Sequence, residues 1–143
     1  MLEGLDRCLH EWCESRGGVL SLVHLDIDGF RRHAVTHGSL AACAILRAVH
    51  AVVADLMRPG DLRTCFSEHR VLVALPDRDL RQALEFAERA RLRLREYRLD
   101  NSISMAVLQA GPQRFTTAEG LIETARQLVF QSKSMGGGHT LCL

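Results

Sequence analysis

The chain has 143 residues, of which 47% are hydrophobic and 24% charged, and its formal net charge is +1. This size and composition are typical of one globular domain, and the near-neutral charge argues against nucleic acid or an anionic membrane as a partner. No apolar run is expected to be long enough to cross a bilayer. Five cysteines without a Cys-x-x-Cys spacing, and no secretory signal, favour a cytoplasmic location.

The first segments predict a helix and a buried strand. Apolar residues recur at helical spacing in residues 2–16, and Gly17-Gly18 ends that pattern. We take residues 1–17 as an N-terminal helix and residues 18–143 as the main domain. Residues 19–27 are almost continuously apolar, which is typical of a central strand buried on both faces.

Two helices are predicted after this strand, at residues 30–37 and 40–57. Ser39 is the predicted N-cap of the longer helix, because its hydroxyl can accept a hydrogen bond from the first turn. Pro59-Gly60 ends the longer helix, since neither residue continues a helix well.

The second half of the chain predicts alternating strands and helices. The segments are a hairpin of residues 62–66 and 71–75, an amphipathic helix at 78–98, a strand at 102–109, a helix at 117–135 and a short final strand. This order indicates an α/β sandwich in which helices cover a mixed sheet.

Four segments carry motifs of one known family. They are Leu25-Asp26-Ile27-Asp28-Gly29-Phe30, Ala87-Glu88-Arg89-Ala90-Arg91, Ser102-Ile103-Ser104-Met105-Ala106, and residues 125–133 with Gly136. Together they resemble the GGDEF domain family of diguanylate cyclases. The resemblance implies a nucleotide-cyclase-like, palm-type fold: a central five-stranded sheet, mixed and mostly antiparallel, covered by helices.

The family's reaction joins two GTP molecules into cyclic di-GMP and depends on divalent metal ions held by carboxylates. By resemblance, Asp26 is the first of these carboxylates. The signature turn, Gly-Gly-Asp/Glu-Glu-Phe in the family, is Ser67-Glu68-His69-Arg70-Val71 here. Its two acidic positions therefore hold the imidazole of His69 and the guanidinium of Arg70, and a fixed positive charge opposes a metal ion.

Other positions that the family uses for GTP are also replaced. Ala34 and Cys43 stand where the resemblance implies Asn and Asp side chains that contact guanine, and Gly137 stands where it implies Arg. Lys133 is retained at a phosphate-contacting position. We therefore predict a degenerate, catalytically inactive domain, and we assign no catalytic residue, no metal ligand and no cofactor.

One family site is retained. Many members carry an inhibitory site built on Arg-x-x-Asp before the signature turn and an Arg of the Ala-Glu-Arg-x-Arg helix, and Arg58, Asp61 and Arg89 match these positions. Guanidinium groups suit the phosphates of cyclic di-GMP, and a carboxylate can accept from guanine N–H groups. Further arginines, at positions 91, 93, 95 and 98, are expected to extend positive charge along the same segment.

Several alternatives stay open. Arg58 can cap its helix end and Asp61 can be a turn residue without any ligand. The domain can be a ligand-free interaction or homodimerisation module, attached to a sensor or phosphodiesterase domain, or a weak GTP effector through Lys133. A residual enzyme with an altered metal site at Glu68 and His69 is the third possibility. Residues His33 and His37 have the spacing of a helical metal pair but more simply are surface histidines.

Overall fold

The chain alternates helices and strands in the predicted order. The computed structural model describes residues 2–99, 101–111 and 117–143. Helix α1 (Leu2–Cys8) continues into a π-helical segment, Leu9–Ser15. The elements that follow are β1 (Leu20–Ile27), α2 (Phe30–His37), α3 (Ser39–Leu56), β2 (Leu62–Ser67), β3 (Arg70–Pro76), α4 (Leu80–Arg95), β4 (Ile103–Ala110), α5 (Ala118–Ser134) and β5 (Thr140–Cys142).

The five strands form one sheet in the order β2-β3-β1-β4-β5. Strand β1 pairs antiparallel with both β3 and β4, and β2 pairs antiparallel with β3. Only β5 runs parallel to its neighbour, β4. The predicted mixed, mostly antiparallel five-stranded sheet is therefore confirmed, and all of β1 is buried, as its apolar sequence predicts.

Helices cover both faces of the sheet because successive strand residues point to opposite sides. Val23, Leu25 and Ile27 of β1 share one core with α3 and α4. Leu20 and Leu22 share the other core with α1 and α5. The N-terminal helix thus packs on the sheet.

The hairpin tip is held against the end of β1. The register places Asp26 of β1 opposite Arg70 of β3, and the Ile27 N–H donates to the His69 carbonyl at 3.0 Å. The pairing of β2 with β3 shifts register between Cys65 and Ser67. This pairing brings the residues of the signature turn beside the aspartates that leave β1.

Helix α4 begins two residues later and ends three residues earlier than predicted, and the N-cap of α3 also differs. Gly38, not Ser39, is the N-cap of α3, and its backbone is in a conformation (φ 91°) that favours glycine. Helix α4 instead has a side-chain N-cap: Asp79 accepts from the Gln82 N–H, and the Gln82 side chain accepts from the Asp79 N–H.

Helix α3 is, contrary to expectation, long and apolar enough to cross a membrane by length and composition. It has 18 residues with a mean hydropathy of 1.7. Its inner face, which includes Ala42, Val49 and Val53, packs in the core against the sheet. Core helices of soluble domains meet the same criteria, so this helix is weak evidence for a membrane span.

His24 of β1 is buried without a hydrogen bond to either ring nitrogen within the described residues. It faces the α5 side of the sheet, like Leu22, and its cross-strand neighbours are Leu72 and Ala106. Burial, together with the positive charges of Arg70 and Lys133, lowers the pKa of His24 from 6.5 to about 3. The imidazole is therefore neutral in the folded protein.

Replacing His24 with Leu should remove part of the acid sensitivity of the fold. In the wild type, the unfolded imidazole takes up a proton as pH falls below 6.5, whereas the folded one does not until about pH 3. Stability is therefore lost across this window, by at most about 1.4 kcal/mol per pH unit for one site. Urea unfolding of both proteins at pH 7.5 and pH 5 should show a smaller loss in His24→Leu. Equal losses in the two proteins would contradict this account.

Candidate functional site

Asp26 lies at the end of β1 with its carboxylate enclosed by cations. Its side chain is only 1% exposed. Arg70 Nε donates to Oδ2 at 3.1 Å, and Lys133 Nζ lies 3.2 Å from Oδ1 as an ion pair. Oδ1 receives no hydrogen bond within the described residues. One buried negative charge thus faces two positive ones.

Asp28 accepts hydrogen bonds at both carboxylate oxygens. Oδ1 accepts from Ser104 Oγ at 2.7 Å and Lys133 Nζ at 2.8 Å, while Oδ2 accepts from Ser102 Oγ at 2.6 Å and the Gly138 N–H at 2.9 Å. Burial raises the pKa of Asp28, but the hydrogen bonds from Lys133, Ser102 and Ser104 outweigh it, and the pKa lies below its ordinary value. Asp28 is therefore an ionised, fully satisfied group, not merely a polar strand end.

The loop after α5 must be glycine-rich to close on Asp28. Gly137 has φ 80°, and a Cβ built there would lie 2.7 Å from Asp28 Oδ2. Any side chain at this position would displace the carboxylate or the loop. The replacement of the family's Arg by Gly137 thus has a local physical reason in this chain.

His69, in the hairpin turn, stacks on Phe30 with ring centroids 5.9 Å apart. Its Nε2 lies 3.8 Å from Asp26 Oδ1, which is too long for a hydrogen bond. Burial and the charges of Arg70 and Lys133 lower its pKa, although Asp26 acts in the opposite direction. The ring is therefore mainly neutral near pH 7.

The second predicted site lies at the turn between α3 and β2. The Asp61 side chain, 3% exposed, accepts from the Arg58 N–H at 2.8 Å and forms an ion pair with the buried guanidinium of Arg78. Arg78 is a residue of this site that the sequence alone does not reveal. No nearby sequence feature marks Arg78, because its contact with Asp61 forms only when the hairpin of β2 and β3 brings the two residues together.

Two cavities flank this turn. The smaller, about 130 Å³, is lined by both Arg58 and Arg89 together with Arg78 and Arg81. The larger, about 450 Å³, lies between the turn and the N-terminal helix and is lined by Arg58, Asp61 and Trp12 among others. The structure therefore brings Arg58 and Arg89 to one cavity and places Asp61 in the adjoining one.

The other arginines at positions 91, 93, 95 and 98 do not line the cavity that Arg58 and Arg89 share. Arg93 forms an ion pair with Asp55 at 2.8 Å. Arg91, Arg95 and Arg98 line a different cavity, beside β4. Within the helix, residues 91 and 95 share one face and residues 89 and 93 another. Arg98 follows the end of α4 and has φ 51°.

No group of three or more His, Cys, Asp or Glu side chains converges for a metal ion in residues 2–99, 101–111 and 117–143. His33 and His37 instead stack on each other with ring centroids 4.4 Å apart.

The sheet, the aspartates after β1 and the hairpin opposite them define a nucleotide-cyclase-like α/β domain. The family profile described as "Diguanylate cyclase, GGDEF domain" matches residues 1–139. The chain therefore belongs to the GGDEF family, as its motifs predict.

Solved structures of GGDEF domains share the fold. The domain of DgcB from Caulobacter crescentus in complex with c-di-GMP is 20% identical with a TM-score of 0.85, covering 98% of this chain and 86% of that one. Diguanylate cyclase SiaD from Pseudomonas aeruginosa, in complex with its activator SiaC, is 22% identical with a TM-score of 0.81, covering 99% and 57%. The domain of YfiN (TpbB) from P. aeruginosa is 19% identical with a TM-score of 0.86, covering 98% and 85%. No curated protein matches the chain.

Substitutions at two neighbouring glycines distinguish the cost of backbone strain from the cost of disturbing Asp28. Gly136 has φ 104° but open space around a Cβ, whereas Gly137 has φ 80° and meets Asp28. Gly136→Ala should lose about 1–2 kcal/mol from backbone strain. Gly137→Ala should lose more, because the methyl group also disturbs the Asp28 hydrogen bonds. Chemical unfolding of both variants tests this order; equal losses would contradict the role of the contact.

Proposed function

We propose that this domain is a catalytically inactive member of the GGDEF family that binds cyclic di-GMP at Arg58, Asp61 and Arg89 and passes its occupancy to a partner. One observation carries the proposal. Asp26 is neutralised by Arg70 and Lys133, while Arg58 and Arg89 line one cavity. In this proposal, Arg70 and Lys133 take the place of the metal ion beside Asp26. Arg58 and Arg89 remain available to bind an anion.

The residues around Asp26 do not fit the divalent metal ion that diguanylate cyclases of the family require. A cation would have to approach a carboxylate that already has Arg70 Nε at 3.1 Å and Lys133 Nζ at 3.2 Å. Two positive charges at this distance repel a third strongly in a buried setting. Oδ1 lacks a hydrogen bond, but the other candidate ligand near it is His69 Nε2 at 3.8 Å.

The charge at Arg58 and Arg89 suits a phosphodiester ligand. Neither guanidinium has a carboxylate within ion-pair distance in the part of the chain that the structure describes. Guanidinium groups bind phosphate through paired, charge-assisted hydrogen bonds. Asp61 would present Oδ1 to guanine N–H groups, because its Oδ2 is occupied by the Arg58 N–H and by Arg78.

The larger adjoining cavity provides the room that a dinucleotide needs. The cavity at Arg89 measures only about 130 Å³, whereas pockets for small-molecule ligands are typically about 300–1,000 Å³. The cavity at Trp12 and Asp61 measures about 450 Å³, and both cavities share Arg58 and Arg78. We propose that the ligand spans both, with one guanine near Trp12 on the N-terminal helix.

The partner is proposed from the exposed surface. Val35 and Leu40, at the corner between α2 and α3, are the most exposed large apolar side chains of the described residues, at 88% and 85%. Such side chains are candidates for a protein contact, including a second copy of this chain. A cytoplasmic setting is proposed with this, since the cysteines are present as thiols.

Cyclic di-GMP should bind the wild-type domain and change the fluorescence of Trp12, the single tryptophan of the chain. Arg58→Ala and Arg89→Ala should each weaken binding at least about tenfold, because a hydrogen bond to a charged group is worth about 1.5–3 kcal/mol. Titration calorimetry gives the affinity, and fluorescence reports whether the N-terminal helix senses the ligand. Incubation with GTP and Mg²⁺ or Mn²⁺ should yield no cyclic di-GMP.

Arg93→Ala is the matched control, because Arg93 lies on the same helix as Arg89 but pairs with Asp55 outside both cavities. It should bind cyclic di-GMP like the wild type. No binding by the wild type, or equal binding by all variants, would refute the ligand site, and cyclic di-GMP synthesis would refute inactivity. Sedimentation of the same samples, with and without ligand, tests whether occupancy changes self-association.

A further inference from the structure

We infer that the cavity between α4 and β4 is a second anion site, distinct from the Arg58 and Arg89 cavities, and that it binds the phosphates of a nucleotide. Three arginines, Arg91, Arg95 and Arg98, are among the residues that line a cavity of about 340 Å³. This volume lies within the range of small-molecule pockets, about 300–1,000 Å³.

The three arginines differ from several other arginines of the chain in having no ion-pair partner among the described residues. In the residues that the structure describes, no carboxylate lies within ion-pair distance of any of them, whereas Arg81, Arg93 and Arg126 each have one. Like charges at positions i and i+4 of a helix repel each other. On Arg91 the nearby Arg95 acts in this sense, while Glu88 and Asp28 attract it. A bound polyanion would relieve the repulsion between the arginines.

One of the three guanidinium groups is fixed before any ligand arrives. Arg91 Nη1 donates to the Ile103 carbonyl at 3.0 Å, and its Nη2 donates to Thr140 Oγ1 at 2.8 Å. The group is half-buried, and burial lowers its pKa. Arg95 and Arg98 line the same cavity and are exposed. Preorganisation of this kind reduces the entropy lost on binding.

The rest of the lining favours an anion with an apolar part. Leu99, which is half-buried, offers the cavity an apolar surface, whereas Leu94 and Met105 of the same lining are 5% and 0% exposed and belong to the core. A nucleoside phosphate combines the two properties, since its base can cover apolar surface while its phosphates meet guanidinium groups. Inorganic phosphates would use only the charged half of the cavity.

The cavity also borders the Asp28 cluster. Gly138 lines it and donates its N–H to Asp28 Oδ2 at 2.9 Å, and Ser102 lines it and donates to the same oxygen at 2.6 Å. A ligand in this cavity would therefore contact Ser102 and Gly138, which both donate hydrogen bonds to Asp28 Oδ2.

The test uses ATP and inorganic triphosphate, both without metal, in calorimetric titrations of the whole chain. The double variant Arg95→Gln/Arg98→Gln should bind ATP at least about tenfold more weakly than the wild type, through loss of two charge-assisted contacts. Both side chains are exposed, so the fold should persist. ATP should bind more tightly than triphosphate, because the base covers the apolar lining.

Controls separate this site from general electrostatics and from the cyclic di-GMP site. Arg7→Gln/Arg47→Gln makes the same change in net charge at exposed positions outside the cavity and should bind ATP normally. Arg58→Ala should also bind ATP normally. Asp100 follows in the chain but lies outside the described residues; Asp100→Asn should not weaken ATP binding.

Equal ATP affinity in the wild type and in Arg95→Gln/Arg98→Gln would overturn the site, as would equal weakening by the Arg7 and Arg47 control. Equal affinities of the wild type for ATP and triphosphate would overturn its assignment to a nucleotide.

Discussion

The arrangement of this domain depends on the ion pair between Asp26 and Arg70. Strand pairing places the two residues opposite each other, so the buried carboxylate and the guanidinium meet without any loop having to move. Removing Arg70 would leave the buried Asp26 carboxylate with Lys133 as its remaining ion-pair partner among the described residues, and a buried carboxylate that loses a partner is destabilising. Lys133 joins Asp26 to Asp28 and ties α5 to the same end of the sheet. Arg70 and Lys133 thus hold the two aspartates together at this end of the sheet.

This charge balance links the fold to the proposed function. The family's chemistry needs carboxylates whose negative charge is balanced by metal ions, whereas here the protein supplies the balancing charge from the hairpin and from α5. Asp28 is in the same state, since its two oxygens are occupied by Ser102, Ser104, Lys133 and the Gly138 N–H. The arginine-lined cavities at the helices are the places where we propose that an anion binds.

Much of the fold could be predicted from the sequence, because local patterns determine it. The apolar run of β1, the Pro59-Gly60 stop and the polar turn of the hairpin are signals within a few residues of one another. The family motifs then specified the sheet. The predicted N-cap of α3, Ser39, is one residue too late. Gly38 is the N-cap and has a positive φ, which the spacing of apolar residues does not reveal. The apolar character of α3 was also underestimated.

The details of the sites were less predictable, because they depend on contacts between distant residues. The pairing of Asp61 with Arg78, and of Asp28 with Ser102 and Ser104, requires strands and turns to be in place first. The alternating serines at the start of β4 could have suggested polar groups on one face of the strand. Helical periodicity can be seen in the sequence, and it places Arg89 and Arg93 on a different face of α4 from Arg91 and Arg95.

The most direct measurement is a titration of the wild-type domain with Mn²⁺ followed by electron paramagnetic resonance, which distinguishes free from bound ion. Because Arg70 and Lys133 already balance Asp26, the account predicts that Mn²⁺ stays free at stoichiometric protein concentration. One tightly bound Mn²⁺ per chain that is lost in Asp26→Asn would contradict it, since the carboxylate would then be holding a metal in spite of its two cationic neighbours.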